Sequence, residues 1–109
     1  MKIRNRKDIS PVKDACELLQ ELHHSENLSI SYATIKSKAR PHKHRKMEEV
    51  YYVVKGAGRI RIGTEVLEIT SGDIIPIPKN VYHGVESVSA PLELVVVTHP
   101  RFDRNDLIY

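Results

Sequence analysis

His42-Lys43-His44-Arg45-Lys46-Met47-Glu48-Glu49 decides the reading of this chain, together with the later stretch Pro78-Lys79-Asn80-Val81-Tyr82-His83. Side chains alternate faces along a strand, so two histidines two positions apart point the same way. A carboxylate at the head of the next strand and a third histidine on a distant strand can complete one coordination shell. Three imidazoles and one carboxylate suit a divalent transition metal. The stretch therefore predicts a metal site inside a small β-barrel.

Either Glu48 or Glu49 can supply the carboxylate. Glu49 is preferred on its spacing to the turn glycine Gly56 and on strand phase. Glu49, Tyr51 and Val53 then face inward, while Val50, Tyr52 and Val54 face a second layer. Both sets are mostly apolar, as in a strand covered on both faces. A carboxylate on the inward set is costly to bury unless a cation neutralises it. Around the third histidine, Gly72 permits a tight turn and Pro78 ends a strand. Asn80 tolerates a positive φ, and such a turn would swing His83 back over the interior.

Working outward, Leu28–Ile35, Glu49–Val54, Arg59–Ile62, Val66–Ile69, Ile74–Ile77, Val81–Val85 and Leu92–Val97 read as strands. Gly63-Thr64 and Ser71-Gly72-Asp73 supply turns, and the spacing of about eight to twelve residues suits a barrel or sandwich. Ahead of them, Ser10-Pro11 is a plausible helix start, followed by Val12, Ala15, Cys16, Leu19 and Leu22 at helical spacing. A short amphipathic N-terminal helix over about residues 11–23 is expected, ending at His23-His24. The last ten residues have no clear period. Phe102 and Leu107 are their candidate anchors to the barrel or to a partner subunit.

At 109 residues the chain is expected to form one domain, residues 1–109, with the barrel core at about 28–98. No apolar run approaches the roughly 20 residues of a membrane span. The basic start is not followed by an apolar segment, so no secretory signal is read. Cys16 is the lone cysteine, which points to a reducing, cytoplasmic setting. The formal net charge is +3, with Lys36, Lys38, Arg40, Lys43, Arg45 and Lys46 gathered in one run. Such a run attracts anions, including an anionic small molecule, but Lys43 should alternate away from the histidines. Nucleic-acid binding is disfavoured, because no aromatic platform accompanies the basic residues.

The spacing H-x-H-x4-E-x6-G, realised as His42, His44, Glu49 and Gly56, resembles the first cupin motif. Gly72-x5-Pro78-x-Asn80-x2-His83 resembles the second. Asn80 stands where the family usually has glycine, and Ser87 where it often has asparagine. The likeness is to small single-domain cupins of the type-2 conserved-barrel kind, some described as mannose-6-phosphate-isomerase-like. It implies a mostly β, double-stranded β-helix (jelly-roll) barrel, a metal held by His42, His44, Glu49 and His83, and a homodimer.

Three histidines and one glutamate on an octahedral ion leave two positions open, as Lewis-acid or oxygen chemistry requires. Iron(II) or manganese(II) is favoured, with zinc, nickel or copper as alternative occupants. The function expected first is a metal-dependent enzyme on a small oxygenated substrate, of dioxygenase or oxidoreductase type. The alternatives are a sugar isomerase or lyase and a non-catalytic module binding a carboxylate or sugar, since a fold does not fix a function. No catalytic residue beyond the ligands is assigned.

Overall fold

The structure, a computed structural model, describes residues 2–109. Its elements are β1 (Val12–Asp14), β2 (Glu17–His24), β3 (Ser29–Ile35), β4 (Lys43–His44), β5 (Glu48–Ile62), β6 (Glu65–Thr70), β7 (Ile74–Ile77), β8 (His83–His99) and β9 (Leu107–Ile108). Two single 3₁₀ turns, Arg6–Asp8 and Arg104–Asp106, are the helical pieces among the described residues.

One sheet runs β1-β2-β3-β8-β5-β6, and β7 pairs with β5. The strands Glu49–Val54 and Arg59–Ile62 of the sequence reading are halves of the one long β5, and Val81–Val85 and Leu92–Val97 likewise fall largely on β8. β5 and β8 stay paired from Glu48↔His99 to Ile62↔His83, with register shifts between Val53 and Lys55 and again around Ala57. Bulges of this kind increase twist and let a long strand bend. Gly56 supplies the bend at φ +96°; a Cβ there would lie 2.0 Å from the Pro91 carbonyl oxygen.

The expected N-terminal helix is not formed. Residues 12–24 make the hairpin β1–β2, with Val12↔Leu19 and Asp14↔Glu17 in register. β2 continues the sheet by pairing with β3 from Leu18↔Thr34 to His24↔Ser29. The free hydrogen-bonding edge of β3 outweighs the weak local preference of the apolar stripe. Glu17 takes φ +65°, and its carboxylate accepts the N–H groups of Lys36, Ser37 and Lys38 and the Ser37 hydroxyl. This ties the new hairpin to the loop that leads to His42. His23 and His24, expected at a helix end, are exposed on β2.

The core is built from alternate residues of the strands. Ala33 and Ile35 of β3, Tyr51, Val53 and Ile60 of β5, Ile75 and Ile77 of β7, and Leu92, Leu94 and Val96 of β8 face inward. Glu49 belongs to that inward set, as strand phase required. The opposite face of β5 is not covered by a second layer of the same chain: Val50, Tyr52 and Val54 are 39–46% exposed.

Candidate metal centre

His42, His44, Glu49 and His83 are brought together at one end of the barrel, each 5% exposed or less. His42 and His83 face one another across an isolated bridge, exchanging both backbone hydrogen bonds at 2.9 Å. His44 stands on β4, Glu49 near the start of β5 and His83 at the head of β8. Asn80 takes φ +62°, the left-handed conformation its side chain tolerates, and its N–H donates to the His44 carbonyl at 2.7 Å. That turn returns the chain to His83. Gly84 then passes so close to the preceding loop that a Cβ would lie 2.8 Å from the Ala39 carbonyl oxygen.

Hydrogen bonds on the far side of each ring set its tautomer. Nδ1 of His42 meets the Arg40 carbonyl at 2.8 Å, that of His44 the Asp106 carbonyl at 3.2 Å, and that of His83 the Val81 carbonyl at 3.0 Å. A carbonyl only accepts, so each Nδ1 carries the hydrogen, and each ring in its neutral form turns its Nε2 lone pair inward. Nε2 of His44 lies 3.0 Å and that of His83 3.1 Å from the same Glu49 oxygen, Oε1. All three atoms are buried without a well-directed hydrogen bond. The four ligand atoms lie within 4.8 Å of one another.

Convergent lone pairs and a carboxylate repel one another in a low-dielectric interior unless a cation sits between them. The donor set therefore fits a divalent transition metal, with imidazole nitrogen and carboxylate oxygen as first ligands. The backbone carbonyls behind the rings supply the orienting bonds that metal-bound histidines use.

The electrostatics differ from ring to ring. Burial, reinforced by the neighbouring His83, holds His42 down to about 4. Burial also lowers His44, but its contact with Glu49 and the field of Asp106 outweigh it and raise the group above the ordinary value. Burial would raise Glu49, yet the facing His44 and His83 hold it down at about 2. The glutamate is thus a standing negative charge.

Beside this cluster lies a chamber of only about 20 Å³, walled by Asp14, Cys16, Ser31, Thr98, Phe102 and Leu107 together with His42, His44 and Glu49. That is room for about one water-sized group. Tyr51 packs edge-on against His83, with ring centroids 6.2 Å apart. The C-terminal segment forms the outer wall. β9 pairs with β4, Lys43↔Ile108 and His44↔Leu107, and Phe102 meets the His44 ring edge-on at 6.4 Å. Lys43 turns away from the centre, as alternation required, and lies over the Tyr82 ring at 4.9 Å.

All four residues expected as ligands from the sequence stand in one cluster. Asp14, Cys16 and Asp106 were not singled out for the site. Their strands or turns carry no motif, and Asp106 lies 62 residues from the histidine it supports. His99, set aside as a ligand, is exposed at the end of β8.

Residues 31–98 match the Cupin domain family. The chain belongs to the cupin family. An uncharacterised protein of Methanocaldococcus jannaschii is 30% identical to this cupin over 82 residues, 74% of this chain and 66% of that protein. A crystal structure from Planctomyces limnophilus superposes with a TM-score of 0.88 at 24% identity, covering 100% of this chain and 96% of the other. Pac13 of Streptomyces, described as a nucleoside dehydratase and also solved with uridine, superposes at 0.83 with 17% identity, over 98% of this chain and 89% of its own. The RmlC-like cupin of Shewanella frigidimarina shares the same barrel. At these identities the structural likenesses establish the fold.

Proposed function

We propose that this cupin binds a divalent transition metal through His42, His44, Glu49 and His83 and uses it to act on a small oxygenated substrate. One observation carries the reading: three tautomer-locked imidazoles and a buried carboxylate turn their lone pairs onto a common point. Iron(II) or manganese(II) is the favoured occupant, because three imidazoles and one carboxylate would leave open positions on an octahedral ion, while the missing thiolate argues only against a structural zinc site. A bound ion would supply Lewis acidity and open coordination positions, which suit oxidoreductase or dioxygenase chemistry. The protein's own part is to orient the ligands, to keep Glu49 ionised and to exclude bulk water with the C-terminal wall. The nucleoside complex of Pac13 supports the idea that such a barrel end takes a hydroxylated small molecule.

The active form in this reading is a homodimer. The outer sheet face carries two rows of registered apolar side chains across four strands. One row is Ile30, Val97, Val50 and Pro76; the next is Val95, Tyr52 and Ile74, with Tyr32 at its end buried beneath Arg6. A contiguous apolar patch of this extent is the usual mark of a protein contact. A second copy offers the same surface to it by two-fold symmetry.

The test is metal content of untagged wild type against His83→Ala, run beside oxygen consumption by the iron-loaded protein on a panel of small acids and diols. Stoichiometric metal in the wild type, lost in the variant, with turnover of at least one compound is the expected result. Equal metal in both proteins would refute the site. Metal without oxygen uptake would leave a binding module or a non-redox isomerase or lyase in place of an oxygenase.

A further inference from the structure

The chamber beside the cluster has one wall residue whose chemistry neither the ligand set nor the fold accounts for. Asp14 ends β1, and one of its carboxylate oxygens, Oδ1, accepts the Ala15 N–H at 2.5 Å. The other, Oδ2, is buried without a partner. A buried carboxylate oxygen left unpaired is destabilising, and such groups in folded proteins call for an explanation. The surrounding chain does not satisfy it. Cys16 and Tyr51 feel its charge, yet neither is hydrogen-bonded to it.

The same residue stands at the chamber's way out. Asp14, Leu19 and Phe102 line both the inner chamber and an open groove of about 280 Å³ on the outer surface. Arg101 and Arg104 border that groove together with Glu21, which pairs with Arg101 at 3.1 Å. Glu21 neutralises Arg101, which leaves the Arg104 guanidinium at the entrance to favour the approach of a small anion. The chamber itself is too small for an organic molecule, so entry requires the seam at Phe102 to part.

We propose that Asp14 is a substrate-anchoring residue, and that the ligand class is a small hydroxy carboxylic acid entering past Arg101, Arg104 and Phe102. The acid's hydroxyl donates to Asp14 Oδ2, and its carboxylate would face the ion that His42, His44, Glu49 and His83 would hold. This deepens the metal-site reading and rests on it. The pairing satisfies the orphan oxygen with a charge-assisted hydrogen bond, which is stronger than a neutral one.

The test uses Co(II)-loaded protein as the probe state, with 3-hydroxypropionate and propionate as ligands, followed by visible absorption and calorimetry. Wild type should bind the hydroxy acid about tenfold or more tightly than the deoxy acid. Asp14→Ala should bring the ratio to about one, with Co(II) affinity unchanged. Asp14→Asn keeps an acceptor for the Ala15 N–H, so its fold is secure, and it should lose most of the preference. A Co(II)-loaded wild type that holds neither acid, or both equally, overturns the proposal, as does a variant that keeps the wild-type ratio. Failure of wild type to take up Co(II) would instead sink the metal site itself.

Discussion

The Asp106 carbonyl accepts the Nδ1 hydrogen bond of His44 at 3.2 Å, while the Asp106 carboxylate accepts the N–H groups of Arg45, Lys46 and Met47 at 2.9–3.2 Å. One C-terminal residue thus orients a ligand ring and staples the loop that follows it. Burial alone would raise the Asp106 carboxyl, but the N–H groups of Met47, Lys46 and Arg45 outweigh it and hold the group below its ordinary value.

Replacing Asp106 by Ala leaves three loop N–H groups without their acceptor. Stability should fall by about 1–3 kcal/mol, and metal affinity by about tenfold to a hundredfold. Urea unfolding of the metal-free protein and calorimetric titration of the metal measure the two effects. Because the folded pKa lies below the unfolded one, the staple stabilises fully above the unfolded value of about 3.9. Its contribution is lost as pH falls through the folded value. The stability gap between wild type and Asp106→Asn should therefore be constant near neutrality and shrink in acid.

Metal removal gives a second readout. An ion bound to the folded chain alone, at a hundred times its dissociation constant, stabilises by about 2.7 kcal/mol. Chelation should lower the wild-type melting temperature and leave His83→Ala unmoved, as read by thermal denaturation with and without added Mn(II).

Gly56→Ala should destabilise the barrel by about 3 kcal/mol or more. The position needs φ +96°, and the new methyl carbon would fall 2.0 Å from the Pro91 carbonyl oxygen. Equilibrium unfolding in urea checks it, with Gly72→Ala as control: Gly72 shares the left-handed conformation at φ +93° but has open space where a Cβ would stand, so its loss should be smaller.

Cys16 should be a poor nucleophile. Burial first, then the charges of Glu49 and Asp14, push its thiol up to about 12. The thiolate is the reactive form, so alkylation by iodoacetamide at pH 8 should be about a thousandfold slower than in denaturant. Mass spectrometry of timed samples measures the ratio.

Tyr52→Glu should separate the proposed dimer. Tyr52 is 46% exposed at the centre of the outer apolar rows, where a carboxylate pair across the two-fold contact would be strongly disfavoured. Sedimentation equilibrium should show a dimer for wild type and a monomer for the variant, with metal content retained.

The legible parts of this molecule were those governed by alternation and turn chemistry. His42 and His44 share a face, Glu49 follows in phase with Tyr51 and Val53, and Gly56, Gly72 and Asn80 all sit at positive φ where turns were read. The stripe Val12, Ala15, Cys16, Leu19 and Leu22 misled, because its helical period competes with a sheet edge that only the folded barrel presents. Val50, Tyr52 and Val54 were expected under a second layer and instead face outward, since strand phase says which residues share a face and not what covers it.

That His42 and His44 share a face, and that Glu49 points inward with Tyr51 and Val53, follows from local sequence, because a strand's two-residue period is a property of the backbone itself. Everything contributed from far along the chain was decided by folding. β9 closes over β4, Asp106 steadies His44, and Asp14 is set beside Glu49 and Cys16. These contacts join segments with no shared period or motif, and they exist only once the long strands β5 and β8 have bent and brought the two ends of the chain to one mouth of the barrel.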